Sequence, residues 1–170
     1  MRSVEPSAGG HPAHYVDPVL VDLYDVEASS FDYHAEFRTL AGTSPLRIVD
    51  VGCGTGLLAL ALAAGGHAVT GIDPAPGMIA AARAKPNPRG ARFIEVDGRN
   101  FAVDERFDLA LMTGNAFQAL AGVGDQQAVI RRVAAHLVAG GRFIFDTRNP
   151  AAREWLCWTE AKSRITLTHP

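Results

Sequence analysis

The sequence predicts an α/β fold in which a mainly parallel sheet is covered by helices on both faces. Three observations lead to this prediction. Short Val/Ile/Leu-rich segments alternate with helix-like segments, glycines or prolines close most of those helix-like segments, and 48% of the 170 residues are hydrophobic. Short apolar strands that alternate with helices are typical of parallel sheets, which are buried on both faces. One domain with a full core is expected at this length.

The N-terminal part predicts a tail followed by helices. Residues 1–14 are rich in Ser, Pro, Gly and His, and they predict a flexible tail because little burial would offset the entropy lost on ordering. From Tyr15 to Leu40, apolar and aromatic residues recur at near-helical spacing, which predicts one or two amphipathic helices broken around residues 28–30. Pro18 suits the first turn of the first helix.

The regular alternation follows. Strands are predicted at LRIVDV (46–51), HAVTGID (67–73), ARFIEVD (91–97), FDLALMT (107–113) and RFIFDT (142–147). Helices are predicted at GLLALALAAGG (56–66), PGMIAAARAK (76–85) and DQQAVIRRVAAHLVAGG (125–141). These elements predict a Rossmann-like three-layer sandwich. Residues 151–170 are expected to start a C-terminal strand or a substrate-cap region, with RITLTH (164–169) as a strand that lacks its neighbour. The C-terminal strands are therefore expected to be incomplete.

Composition favours a small-molecule partner. The net charge is −2 and basic residues are scattered, so neither nucleic acid nor an anionic membrane is an expected partner. No apolar run approaches the roughly 18 residues of a membrane span, and the N-terminus lacks the apolar core of an export signal. Cys53 and Cys157 have no metal-ligand spacing, so no metal is expected. They are predicted to be free thiols in a reducing cytoplasm.

The stretch IVDVGCGTGLLALAL (48–62) carries three glycines in five positions between a strand and a helix. Glycines at Gly52, Gly54 and Gly56 allow positive φ and remove Cβ atoms, so a nucleotide-like ligand could approach the main chain and the amides at the helix start. A tight turn that holds nothing is the alternative. The spacing is one residue tighter than the G-x-G-x-x-G of dinucleotide sites, which disfavours a dinucleotide-dependent oxidoreductase.

Acidic residues stand at three strand ends. Asp50 lies two positions before the first glycine, where a carboxylate would repel a pyrophosphate but suit a cationic ligand. Asp73 could accept hydrogen bonds from both hydroxyls of a ribose, and Asp97 could accept one from an exocyclic base amine. Asp73 could instead cap the following helix, and Asp97 before Gly98 could serve only turn formation.

The segments VDVGCGTG, GIDPAPGM, FIEVDGRNF and FDLALMTGNAFQAL, in this order, resemble the class I S-adenosylmethionine-dependent methyltransferases of the small-molecule type. The resemblance covers residues 15–150 and implies a cofactor-binding core with an N-terminal helical lid. The resemblance implies that the methionine end of the cofactor is held by Asp50, Gly52, Cys53, Gly54, Thr55 and Gly56, and the ribose by Asp73. It implies that Pro74, Met78, Asp97 and Gly98 contact the adenine. Thr113 and Gly114 are expected beside the sulfonium.

Substrate contacts are expected from two segments. The turn after the fourth strand offers Asn115 beside the incoming substrate, Phe117 as a wall of the pocket and Gln118 to orient a polar acceptor. In the resembling family the N-terminal region covers the cofactor, and its candidates are His14, Tyr15, Tyr24, Tyr33 and His34. Of these, Tyr15 and Tyr33 are the preferred lid contacts and His34 is the candidate general base. Each of these side chains could instead be an ordinary core or surface residue.

The function expected from this resemblance is methyl transfer to a small molecule by in-line displacement, which requires alignment more than acid–base help. The alternative is a catalytically silent S-adenosylmethionine-binding module that acts through protein association. Compared with the seven strands of complete class I domains, the chain offers five, so it is expected to be truncated after strand five. An open sheet edge would then be available for a homodimer.

Overall fold

The structure is a computed structural model that describes residues 15–29 and 34–164. The predicted tail at residues 1–14, Tyr33 and most of the predicted strand RITLTH lie outside the described residues. Within the described part, no helix is both long and apolar enough to cross a bilayer.

The elements follow the predicted order. The helices are α1 (Pro18–Ser29), α2 (Ala35–Ala41), α3 (Leu57–Ala64), α4 (Pro76–Ala84), α5 (Val123–His136) and α6 (Glu160–Ser163). The strands are β1 (Arg47–Val51), β2 (Ala68–Asp73), β3 (Arg92–Glu95), β4 (Phe107–Met112) and β5 (Leu137–Phe145). Short 3₁₀ turns occupy Ala116–Ala119, Pro150–Ala152 and Glu154–Cys157. As predicted, Pro18 opens the first helix, and this helix ends at Ser29, within the range 28–30 where its end was expected.

The five strands form one parallel sheet in the order β3-β2-β1-β4-β5. Helices cover both faces, which confirms the predicted Rossmann-like α/β fold. From β1 the chain adds β2 and β3 on one side of the sheet, and it then crosses to add β4 and β5 on the other side. Ligands of such sheets bind outside the carboxyl ends of the strands at this switch point, between β1 and β4. The fold therefore directs attention to the loops after β1, β2 and β4.

Two apolar clusters pack against opposite faces of the sheet. One joins Ile48 of β1 to the inner faces of α2 and α3, and the other joins Val49 and Val51 to α5. Because side chains alternate along a strand, Asp50 lies on the same face as Ile48, beneath the helical layer. This alternation is why a carboxylate in the middle of the sheet is only 1% exposed.

The boundary between the last long helix and the last strand differs from the prediction. The helix was expected to continue to residue 141, but it ends at His136, and Leu137 already pairs with Phe107 of β4. The His136 ring bonds the carbonyl of Arg132 through Nδ1 (2.8 Å) and accepts the amide of Val103 at Nε2 (3.4 Å). These bonds fix the helix end, and the ladder of β4 draws the following residues into β5 with an irregular register.

The C-terminal segment is exposed where it is described. Residues 151–164 form two 3₁₀ turns and α6, and no strand occurs within them. Trp155 and Trp158 are 51% and 57% exposed. The guanidinium of Arg148 lies 5.1 Å from the ring centroid of Trp158.

Candidate functional site

A cleft of about 550 Å³ opens at the carboxyl ends of β1, β2 and β4. Eleven of the residues expected to contact cofactor or substrate line it. They are Tyr15, Gly52, Gly54, Asp73, Pro74, Met78, Asp97, Gly98, Thr113, Gly114 and Asn115. Residues separated by 100 positions in sequence thus meet at the reversal point of the sheet, as the parallel topology requires.

The glycine loop forms one wall of the cleft. Gly54 has φ +54°, and a Cβ on it would point at the ring of Tyr24 on α1, 3.9 Å away. Gly56 has φ +79°, and a Cβ there would lie 2.7 Å from the ring of Phe93. Both backbone conformations disfavour other residues. The absence of side chains in the glycine loop therefore has two consequences. Gly54 leaves the backbone open to the cleft, and Gly56 leaves room for the ring of Phe93 in the core.

Asp73 ties the glycine loop to the start of α4. Its Oδ2 accepts the amide of Gly54 (3.0 Å) and its Oδ1 accepts the amide of Ala75 (2.8 Å). The helix cap of α4 is Ala75, so Asp73 forms a turn before the helix and is not its cap residue. A carboxylate can accept further bonds beside these two. Asp73 is 9% exposed and lines the cleft.

Asp50 is the most unusual charge of the site. It is buried directly below the loop, and among the described residues its Oδ1 has no hydrogen-bond partner. Burial, and secondly the neighbouring carboxylate of Asp73, raise the pKa of Asp50 to about 7. A buried carboxylate without a bonded donor is costly, and such groups concentrate at functional sites. Asp50 itself is not among the residues that line the cleft.

An ion-pair cluster closes the end of the cleft after β3. Arg99 donates to Asp97 from its backbone amide (2.8 Å), Nε (2.9 Å) and Nη2 (2.6 Å), and its Nη1 lies 3.1 Å from Asp125 on α5. The bonds to Asp97, and secondly that to Asp125, raise the pKa of Arg99. The expected turn role of Asp97 is therefore present, and its carboxylate still lines the cleft.

The turn after β4 is held by an acid that the sequence analysis did not identify. Asp146, just past β5, accepts the amide of Gly114 at Oδ2 (3.2 Å) and that of Asn115 at Oδ1 (2.7 Å). Gly114 and Asn115 both have left-handed φ values, of 68° and 59°. Consecutive left-handed residues turn their amides toward one point, and a carboxylate at that point fixes the turn.

Several expected contacts do not line the cleft. Phe117 stacks on Phe145 with ring centroids 4.4 Å apart, and Gln118 accepts the amide of Arg148 (2.9 Å). His34 is the N-cap residue of α2, and it is not among the residues that line the cleft. Cys53, Thr55 and Gly56 belong to the loop but are not among the residues that line the cleft. The roles expected of all these residues stay predictions, as does that of Tyr33.

The N-terminal segment forms one side of the cleft. Tyr15 and Tyr24 both line the cleft. Burial, and secondly the charge of Asp73, raise the pKa of the Tyr15 hydroxyl, which keeps it a neutral donor.

The sequence analysis did not identify Arg99 and Asp125. Their ion pair depends on the packing of α5 beside the loop after β3, and no local sequence pattern predicts that contact.

Comparisons with known proteins agree with this geometry. A family model described as a methyltransferase domain matches residues 48–141. The chain belongs to this methyltransferase domain family. The match begins in β1 and ends in β5, so this methyltransferase domain contains the glycine loop, all three strand-end acids and the turn after β4.

Relatives and solved structures extend the comparison. The ubiquinone biosynthesis O-methyltransferase of Azorhizobium caulinodans is 32% identical over 158 residues, or 89% of this chain and 59% of the relative. A TehB-like SAM-dependent methyltransferase from Corynebacterium glutamicum matches with 27% identity and a TM-score of 0.65, covering 76% of this chain and 73% of that one. SAM-bound CalS10, an amino pentose methyltransferase from Micromonospora echinaspora, matches with 28% identity and a TM-score of 0.61, covering 77% and 56%. The chain spans 57–59% of the length of the first curated relatives.

Proposed function

We propose that this methyltransferase domain binds S-adenosylmethionine and transfers its methyl group to a small-molecule acceptor. One observation carries the proposal: Asp73 and Asp97 meet at a single cleft with the bare backbone of Gly54. A nucleoside that carries a diol, a base amine and a positive charge presents donors that suit these acceptors. Family membership and the solved structure of SAM-bound CalS10 support the same ligand.

The residues present fit this cofactor. Asp50 supplies a buried, unpartnered carboxylate oxygen near the loop, as a ligand with an ammonium and a sulfonium group would require. Asp73 would accept the ribose hydroxyls, and Asp97 with Gly98 would meet the adenine amine. Pro74 and Met78 would contact the flat faces of the base. These assignments follow the resemblance residue by residue and are proposed for this chain on that basis.

When bound, S-adenosylmethionine would supply an activated methyl group on a sulfonium whose leaving form is a neutral thioether. The residues of this chain would then need to align the acceptor lone pair with that methyl group and leave a path to water for any acceptor proton. The domain's own task is to orient the reactants and exclude competing water. Asp146 contributes by fixing Gly114 and Asn115, and Tyr15, before α1, and Tyr24, on α1, cover the opening.

The acceptor is proposed to be small. The similar proteins include a ubiquinone biosynthesis O-methyltransferase and an amino pentose methyltransferase, whose names indicate chemically different acceptors. Methyl transfer from labelled S-adenosylmethionine to a panel of phenols, carboxylic acids and amino sugars tests the proposal, beside calorimetric titration with S-adenosylhomocysteine. Transfer to at least one acceptor is expected. Binding without transfer to any acceptor would favour a silent module, and competition by NAD would favour an oxidoreductase.

Two further properties are proposed with the function. The strand β5 forms an edge of the described sheet, and Phe145 on it is 42% exposed, which favours a homodimer through that edge. Both cysteines are free thiols, which favours a cytoplasmic location. Light scattering after gel filtration tests the first property, and a mass of one chain at micromolar concentration contradicts it. Fractionation of the native host tests the second.

A further inference from the structure

Three polar groups join the lid helix α1 to the glycine loop. The hydroxyl of Thr55 donates to Oδ1 of Asp25, which lies on α1. Lys85, just past α4, places Nζ 2.6 Å from Oδ2 of Asp25 and donates to the carbonyl of Thr55 at 2.9 Å. Thr55 is 1% exposed, and the side chains of Lys85 and Asp25 are 21% and 24% exposed. We call these three residues the latch.

The latch lies beside a second anchor of the same segment. Val21 of α1 is 3% exposed and packs against Ala75 and Met78, at the start of α4. At Gly77 of α4, a Cβ would lie 2.7 Å from the carbonyl oxygen of Tyr15, so glycine is what permits the chain before α1 to approach. The N-terminal segment is thereby fixed in the position where Tyr15 and Tyr24 line the cleft.

We propose that the latch couples the docking of α1 to ligand binding at the glycine loop, so that Asp25 and Lys85 are positioning residues for the cofactor. The inference rests on the proposed function and extends it to regulation of the same site. Thr55 stands between Gly54 and Gly56, so bonds to both its hydroxyl and its carbonyl restrain the loop. A ligand that contacts both the restrained loop and Tyr15 and Tyr24 of the N-terminal segment stabilises the two parts together, and this coupling is reciprocal.

Among the ion pairs of the described residues, the pair Asp25–Lys85 is the most buried. Exposed pairs such as Arg92–Glu105, whose side chains are 55% and 44% exposed, contribute little. A partly buried pair that also bonds a hydroxyl and a carbonyl leaves a poorly solvated charge when one partner is removed. The loss therefore favours undocking of α1, which restores water to the remaining charge.

Calorimetric titration with S-adenosylhomocysteine tests the latch in the full chain. The variants are Asp25→Asn, Lys85→Met and their combination, and Asp22→Asn on the exposed face of the same helix is the matched control. Each latch variant is expected to weaken binding by about tenfold, within the usual range of coupling between sites. The combined variant is expected to bind S-adenosylhomocysteine about as tightly as the weaker-binding single variant, because both substitutions remove the same interaction. The control is expected to stay within about twofold of the wild type.

Hydrogen exchange separates coupling from a general loss of stability. In the ligand-free protein, residues 18–26 are expected to exchange faster in the latch variants while β1 and β4 keep their protection. S-adenosylhomocysteine is expected to slow exchange of α1 in the wild type. Asp25→Glu, which keeps the charge, is expected to recover most of the affinity and guards against a variant that fails to fold.

The outcomes distinguish the two proposals. Unchanged affinity in Asp25→Asn and Lys85→Met, beside normal binding by the wild type, overturns the latch and leaves the proposed function intact. Equal acceleration of exchange throughout the sheet also overturns it, because the residues would then serve stability alone. A wild-type chain that does not bind S-adenosylhomocysteine contradicts the proposed function itself.

Discussion

Replacement of Asp50 by asparagine is expected to stabilise the ligand-free protein at neutral pH while weakening cofactor binding. Asp50 is 1% exposed, and its pKa is raised from 3.8 to about 7 by burial and by Asp73. The folded state therefore binds a proton that the unfolded state has released between those pH values. Stability contributed by the neutral carboxyl is present below pH 4 and is lost as the pH rises to about 7.

The size of the effect follows from the shift. A difference between 3.8 and about 7, at about 1.4 kcal/mol for each unit, gives roughly 4 kcal/mol of lost stability once the pH exceeds 7. Asparagine has the shape of the neutral acid and no charge to bury. The Asp50→Asn variant should match the wild type near pH 4 and exceed its free energy of unfolding by roughly this amount at pH 8.

Urea unfolding at pH 4.5, 6 and 8 measures this difference. Asp108→Asn is the control of opposite sign, because hydrogen bonds from Arg47 lower the pKa of Asp108. That variant should lose stability at neutral pH and approach the wild type in acid. An Asp50→Asn variant that is less stable than the wild type at pH 8 would refute the reasoning, since Asp50 would then have a stabilising partner.

Three other changes test separate parts of the site. Asp73→Ala should weaken S-adenosylhomocysteine binding by roughly 2–4 kcal/mol, because ribose hydrogen bonds to a charged acceptor are lost. Unchanged affinity in calorimetry would show that Asp73 only stabilises the turn before α4. Gly77→Ala should displace the segment around Tyr15 at a cost of about 1–3 kcal/mol in the free energy of unfolding. Gly124→Ala is the control and should not destabilise the protein, because Gly124 is the second residue of α5 and has open space around it. Equal melting temperatures for the two variants would contradict the packing. Asp97→Ala should reduce affinity less than Asp73→Ala, since water can replace one amine contact, and a larger loss would reverse the assignment.

The sequence was sufficient for the part of the site that strand ends create. Parallel strands bring their carboxyl ends to one edge, so an acid or glycine placed just after a strand is located by topology alone. Asp73 and Asp97 were identified in this way, and both line the cleft. The bare loop was also identified, although Gly56 is explained by its contact with Phe93, a tertiary reason that local spacing cannot supply.

The parts that were not predicted depend on contacts between distant segments. Asp146 follows β5, and its bonds to the turn after β4 exist only because the two strands are neighbours. Gln118 accepts the amide of Arg148, a bond between the turn after β4 and the segment after β5 that local sequence does not indicate. The end of α5 was misplaced because LVAGG has both helical and strand character, and the ladder of β4 decides between them.

A crystal structure of the chain with S-adenosylhomocysteine tests the central claim most directly. The account predicts the ribose hydroxyls within hydrogen-bond distance of Asp73, the adenine amine at Asp97, and the amino-acid end beside Gly54 above Asp50. A nucleoside bound outside the cleft, or bound within it with no ribose hydroxyl at hydrogen-bond distance from Asp73, would contradict the account.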